Sequence, residues 1–191
     1  MSRTDPVDAV DHVDPIESVE ALFEVLAASA AHADEEDVDL LAHALQCGQR
    51  LREVAPDDVE LQIAGLVHDI GTALVPDAPD RHARIGAAAV RALLGTRVAR
   101  LVAGHAEAKR YLVAVDASYR NALSSRSIVT LAAQGGPLDP PAAEAFARNR
   151  DAEALVALRY ADDAAKVPGA TVAGLETWRP AVADLIGSRK P

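Results

Sequence analysis

Cysteine and aromatic rings are the scarcest elements of this 191-residue chain: it holds one Cys, and Phe, Trp and Tyr together make up 3% of it. With Cys47 alone no intramolecular disulfide can form, so nothing covalent staples the fold, and the expected location is the reducing cytoplasm. The apolar half of the composition is mostly Ala, Val and Leu, which favours packed helices over sheets. Basic charge is short as well, with 19 Lys and Arg against 29 Asp and Glu and a formal net charge of −10. A phosphate backbone needs a basic face, and none is evident, so no nucleic-acid partner is expected. Apolar runs long enough for a membrane span are missing, and the acidic opening MSRTDPVDAVDHVDP has no apolar signal core, so no membrane association is expected either.

Residues 1–15, rich in Asp and ending at Pro15, read as a loose leader with a solvated His12, and 16–191 as one domain. Val19, Leu22, Phe23, Leu26 and Ala27 recur at helical spacing and predict a helix over 16–32, which AHADEED interrupts. A second helix, VDLLAHALQCGQRLREV, stops at the Ala55-Pro56 step; Asp57 or Asp58 caps a third, which carries His68 and Asp69 and is closed by Gly71. Past the turn VPDAPD come a helix over 81–94 with His82 in its first turn, then TRVARLVAGHAEAKRYL with His105. DASYRNALS reads as a short helix or turn, and SSRSIVTLAA as a helix stopped by Gly135, Gly136 and Pro137. Pro140-Pro141 opens the next, DAEALVALRYADDAAKV is a strong helix, and GLETWRPAVADLIG is a peripheral last one. The expected fold is all-α, a bundle of about eight to ten helices.

Four of the six histidines, His43, His68, His82 and His105, fall on or at the ends of these amphipathic helices, and Asp69 follows His68 directly. A buried imidazole beside a buried carboxylate is costly unless each has a partner, and a metal ion partners both at once. Any one such histidine alone is ordinarily a ring satisfied by a backbone carbonyl. Together with Asp69 and Asp162, however, the four supply six N/O ligands and no thiolate. Such a set suits iron, manganese or zinc, and it can hold two ions if one carboxylate bridges. Cys47, one turn after His43, reads as a small buried residue rather than a ligand.

The order His43, His68-Asp69, Asp162 resembles the H…HD…D signature of the HD-domain superfamily, a helical metal-binding fold, and His82 and His105 resemble the pattern of its two-metal subset. HALQCG, LVHDIG, HARIGAAAVRAL, VAGHAEAKRYLVAVDASYRNALSSRSIVTLAAQGGP and LRYADDAAKV, spread from about His43 to Val167, are similar to the HD-domain mixed-valent diiron oxygenases of organophosphonate catabolism. That resemblance implies an HD-domain helical bundle that uses two iron ions (Fe2+/Fe3+) and O2 as co-substrate. The reaction it implies cleaves the C–P bond of a 1-hydroxyalkylphosphonate to phosphate and a carboxylic acid. It implies His43, His68, Asp69 and Asp162 around one iron and Asp69, His82 and His105 around the other, Asp69 bridging. It further implies that Lys109, Ser127, Thr130 and Arg159 contact the phosphonate, with Asp69 and Lys109 carrying the catalysis. The residues are compatible with this: Lys109 lies one helical turn after His105, Ser127 and Thr130 share a helix face, and Arg159 lies three residues before Asp162. A solvated surface lysine and ordinary helix polarity are the plainer readings of the same positions.

The chain departs from that family pattern in two places. Relatives often read HDIGH where this chain reads HDIGT, so Thr72 stands in place of a substrate-contacting histidine. Ala33 occupies the position of a tyrosine that in some relatives covers an iron, while Glu36 keeps the acidic residue that recognises a substrate amine. Two other functions remain open on the sequence: a metal-dependent HD phosphohydrolase acting on a phosphate ester, and a non-catalytic HD ligand-sensing module. The expected partner is a small-molecule phosphonate, with a homodimer as the assembly to test.

Overall fold

A computed structural model describes residues 13–32 and 37–189. Ala33, Glu36 and most of the leader, His12 included, lie outside the described residues.

The described chain forms eleven α-helices: α1 Val19–Ala28, α2 Leu40–Val54, α3 Val59–Val67, α4 Ile70–Leu74, α5 His82–Leu94, α6 Thr96–Val115, α7 Ala117–Ala122, α8 Ser125–Ala133, α9 Pro140–Ala147, α10 Ala152–Ala164 and α11 Arg179–Gly187. Short polar side chains start many of them by accepting an otherwise unpaired backbone N–H. Ser18 accepts from Ala21, Asp39 from Ala42, Asp58 from Leu61, Ser124 from Ser127 and Asp139 from Ala142, the last just ahead of Pro140. Each such cap is worth about 1 kcal/mol. No helix among the described residues is long and apolar enough to cross a membrane.

The twenty-residue α6 is the axis of the bundle, with α5 and α10 packed along it and α3 seated between α2 and α6. Leu66, Val90, Val98, Leu101, Val102 and Leu158 are fully buried where these helices meet. That packing brings α2, the α3–α4 junction, α5, α6 and α10 to one end of the core, and these elements carry the six expected ligands.

Two local features differ from the sequence expectation. Gly71 does not close α3: that helix ends at Val67, His68 and Asp69 occupy a turn, and Gly71 lies inside α4. The reason is packing, since a Cβ on Gly71 would stand 1.9 Å from the His82 carbonyl oxygen, so only glycine lets α4 rest on the first turn of α5. The C-terminal segment is also less peripheral than expected. Trp178 is fully buried against Gly48, and the Arg52 guanidinium lies 3.3 Å from its ring centroid.

Candidate metal centre

His68 and His105 hold themselves in place through the local geometry of their own helices. The Nδ1–H of each donates to a carbonyl three residues earlier, His68 to Gly65 at 2.8 Å and His105 to Val102 at 2.7 Å. His82 does the same to Pro79 at 2.6 Å, and His43 reaches across the bundle to the Ala165 carbonyl at 3.0 Å. Once Nδ1 carries the proton, the neutral imidazole presents a bare lone pair at Nε2. All four rings are buried, and their Nε2 atoms converge.

They converge in two groups. His43 Nε2 lies 3.2 Å from His68 Nε2 and 3.3 Å from Asp162 Oδ1, and Asp69 Oδ2 is 3.8 Å and 3.5 Å from the two nitrogens. On the other side, His82 Nε2 and His105 Nε2 are 3.0 Å apart, and Asp69 Oδ1 stands 3.4 Å and 3.5 Å from them. Asp69 therefore turns one oxygen to each group. Donors held about 2.1 Å from a shared cation at tetrahedral or octahedral angles lie about 3.0–3.4 Å apart. The spacing thus fits a cation within each group, and His43, His68 and Asp69, and again Asp69, His82 and His105, could each hold one.

The charges within the site follow from burial. Burial opposes the Asp69 carboxylate, yet the imidazoles of His68, His82 and His105 hold its carboxyl well below the usual range. For Asp162 burial is likewise opposed, first by the Arg159 guanidinium and then by His43 and His68, with the same outcome. Burial and the neighbouring His82 lower His105 to about 3, so that ring is neutral and ready to ligate at pH 7. Cys47 is fully buried, its thiol pushed up by burial.

Beside the two groups opens a cavity of about 100 Å3, well below the size of a nucleotide-scale pocket. His43, Asp69, His82, His105 and Asp162 form its floor, and Thr72, Lys109, Ser127, Thr130 and Arg159 line it. Every expected site residue among the described ones except the deeper His68 faces this cavity; Glu36 lies outside the described residues. Lys109 is buried and donates to Thr130 Oγ1 at 2.8 Å; burial first, then Arg159, lowers its ammonium to about 8. Arg159 is largely committed to protein: Nη1 donates to Asp162 Oδ2 at 2.6 Å, Nε to Asp163 Oδ2 at 2.9 Å and to the Tyr119 hydroxyl at 2.8 Å, and Nη2 to Asp163 Oδ1.

Sequence reasoning missed Arg126, Gln134 and Lys166, which also line the cavity. Gln134 was within reach, because it follows Ser127 and Thr130 at seven and four residues on the same helical face, and its buried Oε1 has no partner. Nothing in the local pattern marks Arg126 or Lys166.

Comparison with known proteins identifies a family and two relatives. The HD domain family model matches residues 19–133, well over half of the chain. The chain is 34% identical to a [1-hydroxy-2-(trimethylamino)ethyl]phosphonate dioxygenase (glycine-betaine-forming) of Leisingera caerulea, over 69% of this chain and 70% of that one. It is 33% identical to a hydroxymethylphosphonate dioxygenase of Gimesia maris, over 75% of this chain and 76% of that one. With a family model over more than half of its length and two relatives above 30% identity across most of it, the chain belongs to the HD-domain family.

Proposed function

We propose that this protein is an O2-dependent diiron oxygenase that cleaves the C–P bond of a 1-hydroxyalkylphosphonate. The observation that carries the reading is Asp69, with one oxygen toward His43 and His68 and the other toward His82 and His105, on the floor of a cavity walled by Lys109, Arg126, Arg159 and Lys166. The two relatives, both phosphonate dioxygenases by name, support it. His43, His68, Asp69 and Asp162 would hold one iron and Asp69, His82 and His105 the other, Asp69 bridging. The Fe2+/Fe3+ centre, when bound, supplies coordination for substrate oxygens and electron transfer to O2.

The protein's own groups bind, orient and shield. Lys109 Nζ, already aligned by Thr130 Oγ1, gives the phosphonate a charge-assisted donor in a desolvated site. Ser127 and Thr130 offer hydroxyls from α8, and Gln134 and Thr72 border the remaining space. Arg159 contributes positive charge at the rear of the pocket while its Nη1 keeps Asp162 oriented. Held so, the substrate presents its C1 hydroxyl and one phosphonate oxygen to the ligand groups, and the small cavity limits the entry of water. The reaction balances as one hydroxyalkylphosphonate and one O2 giving one carboxylate, one phosphate and a proton.

The test is anaerobic purification with elemental analysis, then phosphate release from hydroxymethylphosphonate and from 2-amino- and 2-trimethylammonio-1-hydroxyethylphosphonate. Release that depends on O2 and carries 18O from 18O2 into the carboxylate supports the oxygenase. Equally fast release from a phosphate ester under anaerobiosis makes the protein a phosphohydrolase instead.

A further inference from the structure

Behind Asp162, where α7 meets α10, a partly buried network surrounds Arg159, and two of its members, Tyr119 and Asp163, have no part in the reaction above. Tyr119, from α7, donates its hydroxyl to Asp163 Oδ2 at 2.7 Å and accepts from Arg159 Nε at 2.8 Å. Asp163 takes Arg159 through both oxygens, Oδ2 from Nε at 2.9 Å and Oδ1 from Nη2. Planar guanidinium and carboxylate groups prefer this two-point fork, and Asp163 has it. Asp162 receives only a single bond, Nη1 to Oδ2 at 2.6 Å, which leaves Oδ1 facing His43 at 3.3 Å and His68 at 3.8 Å. Arg159 and Asp162 are both buried, so neither can turn to water for another partner.

We propose that Tyr119 and Asp163 are positioning residues: by holding Arg159 in a fork with Asp163, they prevent it from forking onto Asp162 and so keep Asp162 Oδ1 for the metal. The inference rests on the metal-centre reading above and adds to it a device that selects between two uses of one carboxylate. Without Asp163, the same guanidinium gains most by engaging both oxygens of Asp162. The ligand group of His43 and His68 then loses its second carboxylate, while the group of His82 and His105, which contacts only Asp69, is untouched. The loss is therefore expected at one of the two ions and not at both. Tyr119 acts in the same direction and more weakly, because Asp163 keeps its fork when the hydroxyl goes.

Chelator-stripped wild type, Tyr119→Phe, Asp163→Ala, Arg159→Gln and the Arg159→Gln/Asp163→Ala double variant are titrated with Fe(II) without O2. Bound iron per chain is counted after desalting, and circular dichroism melting checks the fold. Wild type should bind two ions; Asp163→Ala should keep one and bind the other at least roughly tenfold more weakly, the scale on which groups supporting metal ligands act. Tyr119→Phe should show a smaller loss of the same kind. The double variant should bind the weakened ion better than Asp163→Ala alone, since the competing arginine is gone, and a merely structural role for Asp163 would not produce that recovery. Asp163→Ala binding both ions as tightly as wild type, or a double variant no better than Asp163→Ala, overturns the proposal with the metal centre intact. Failure of wild type to bind iron overturns the metal-centre reading itself.

Discussion

At the residue scale, Asp69 is the position on which most depends, because among the described residues it is the carboxylate that faces both histidine groups. Asp69→Ala should lose both ions by elemental analysis; a variant that kept two would exclude Asp69 as a bridge. Lys109→Ala should retain its iron and lose roughly 2–3 kcal/mol of productive phosphonate binding, read as kcat/KM, on the scale of a charge-assisted contact in a dry pocket. Titration gives an independent check on the same residue. Burial and Arg159 lower its ammonium to about 8, so the proton that makes it an anion receptor is present below that pH and lost above it. The dependence of kcat/KM, which reports the free enzyme, should therefore fall through about pH 8, and Lys109→Ala should flatten that limb. The six converging donors could be read in the sequence because four histidines and two aspartates at helical positions are costly to bury unpartnered, and Lys109 by its place one turn after His105 together with the family resemblance. The fork between Arg159 and Asp163 could not, since Tyr119 lies 40 residues before Arg159 and only α7 packing against the bundle brings them together.

At the element scale, the junction of α3, α4 and α5 sets the distance between the two ligand groups. Gly71 and Gly86 let α4 and α5 approach backbone to backbone, and a Cβ at Gly71 would meet both the His82 carbonyl oxygen and, at 2.8 Å, the Gly86 nitrogen. Neither neighbour can yield as a side-chain tip would, so Gly71→Ala must push α5 outward and carry His82 with it. The expected result is destabilisation of at least about 1–3 kcal/mol and loss of the ion held by His82 and His105, seen by thermal melting and iron counting. If Gly71→Ala melted like wild type and held two ions, the close approach would have no role in the site. The sequence reads this glycine as the stop of α3, whereas it lies inside α4; helix capping and close packing leave the same one-letter trace. The α8 helix behaves differently: Ser127 is buried while Ile128 and Val129 are exposed, so its polar face turns inward toward Lys109 and the cavity. A Ser127→Ala/Thr130→Ala variant should raise KM for the phosphonate without altering iron content, measured by steady-state phosphate release and elemental analysis.

At the scale of the whole molecule, an anionic chain with a formal net charge of −10 is proposed to bind an anionic ligand, and the structure resolves the conflict locally. Lys109, Arg126, Arg159 and Lys166 come together around one cavity from α6, α8, α10 and the segment just after it, although their sequence neighbours give no sign of a basic patch. Metal should matter to the fold as well as to the chemistry. Four buried imidazoles and two carboxylates converge at ligand spacing, so chelation should lower the melting temperature and re-addition of Fe(II) should restore it, by mass action on the folded state. A melting temperature indifferent to chelator would contradict cations at those donors. By itself the sequence determined the helical class, most element boundaries and the identity of the six converging N/O donors, because those follow from short-range periodicity, capping chemistry and the cost of burying titratable groups. Only the tertiary structure decided that Asp69 faces two ways, that Arg159 is shared between two carboxylates, that Trp178 belongs to the core and that four distant cations surround one cavity. Each of these depends on the relative placement of helices, and that placement is set by side-chain packing between segments far apart in the chain, which no local pattern encodes.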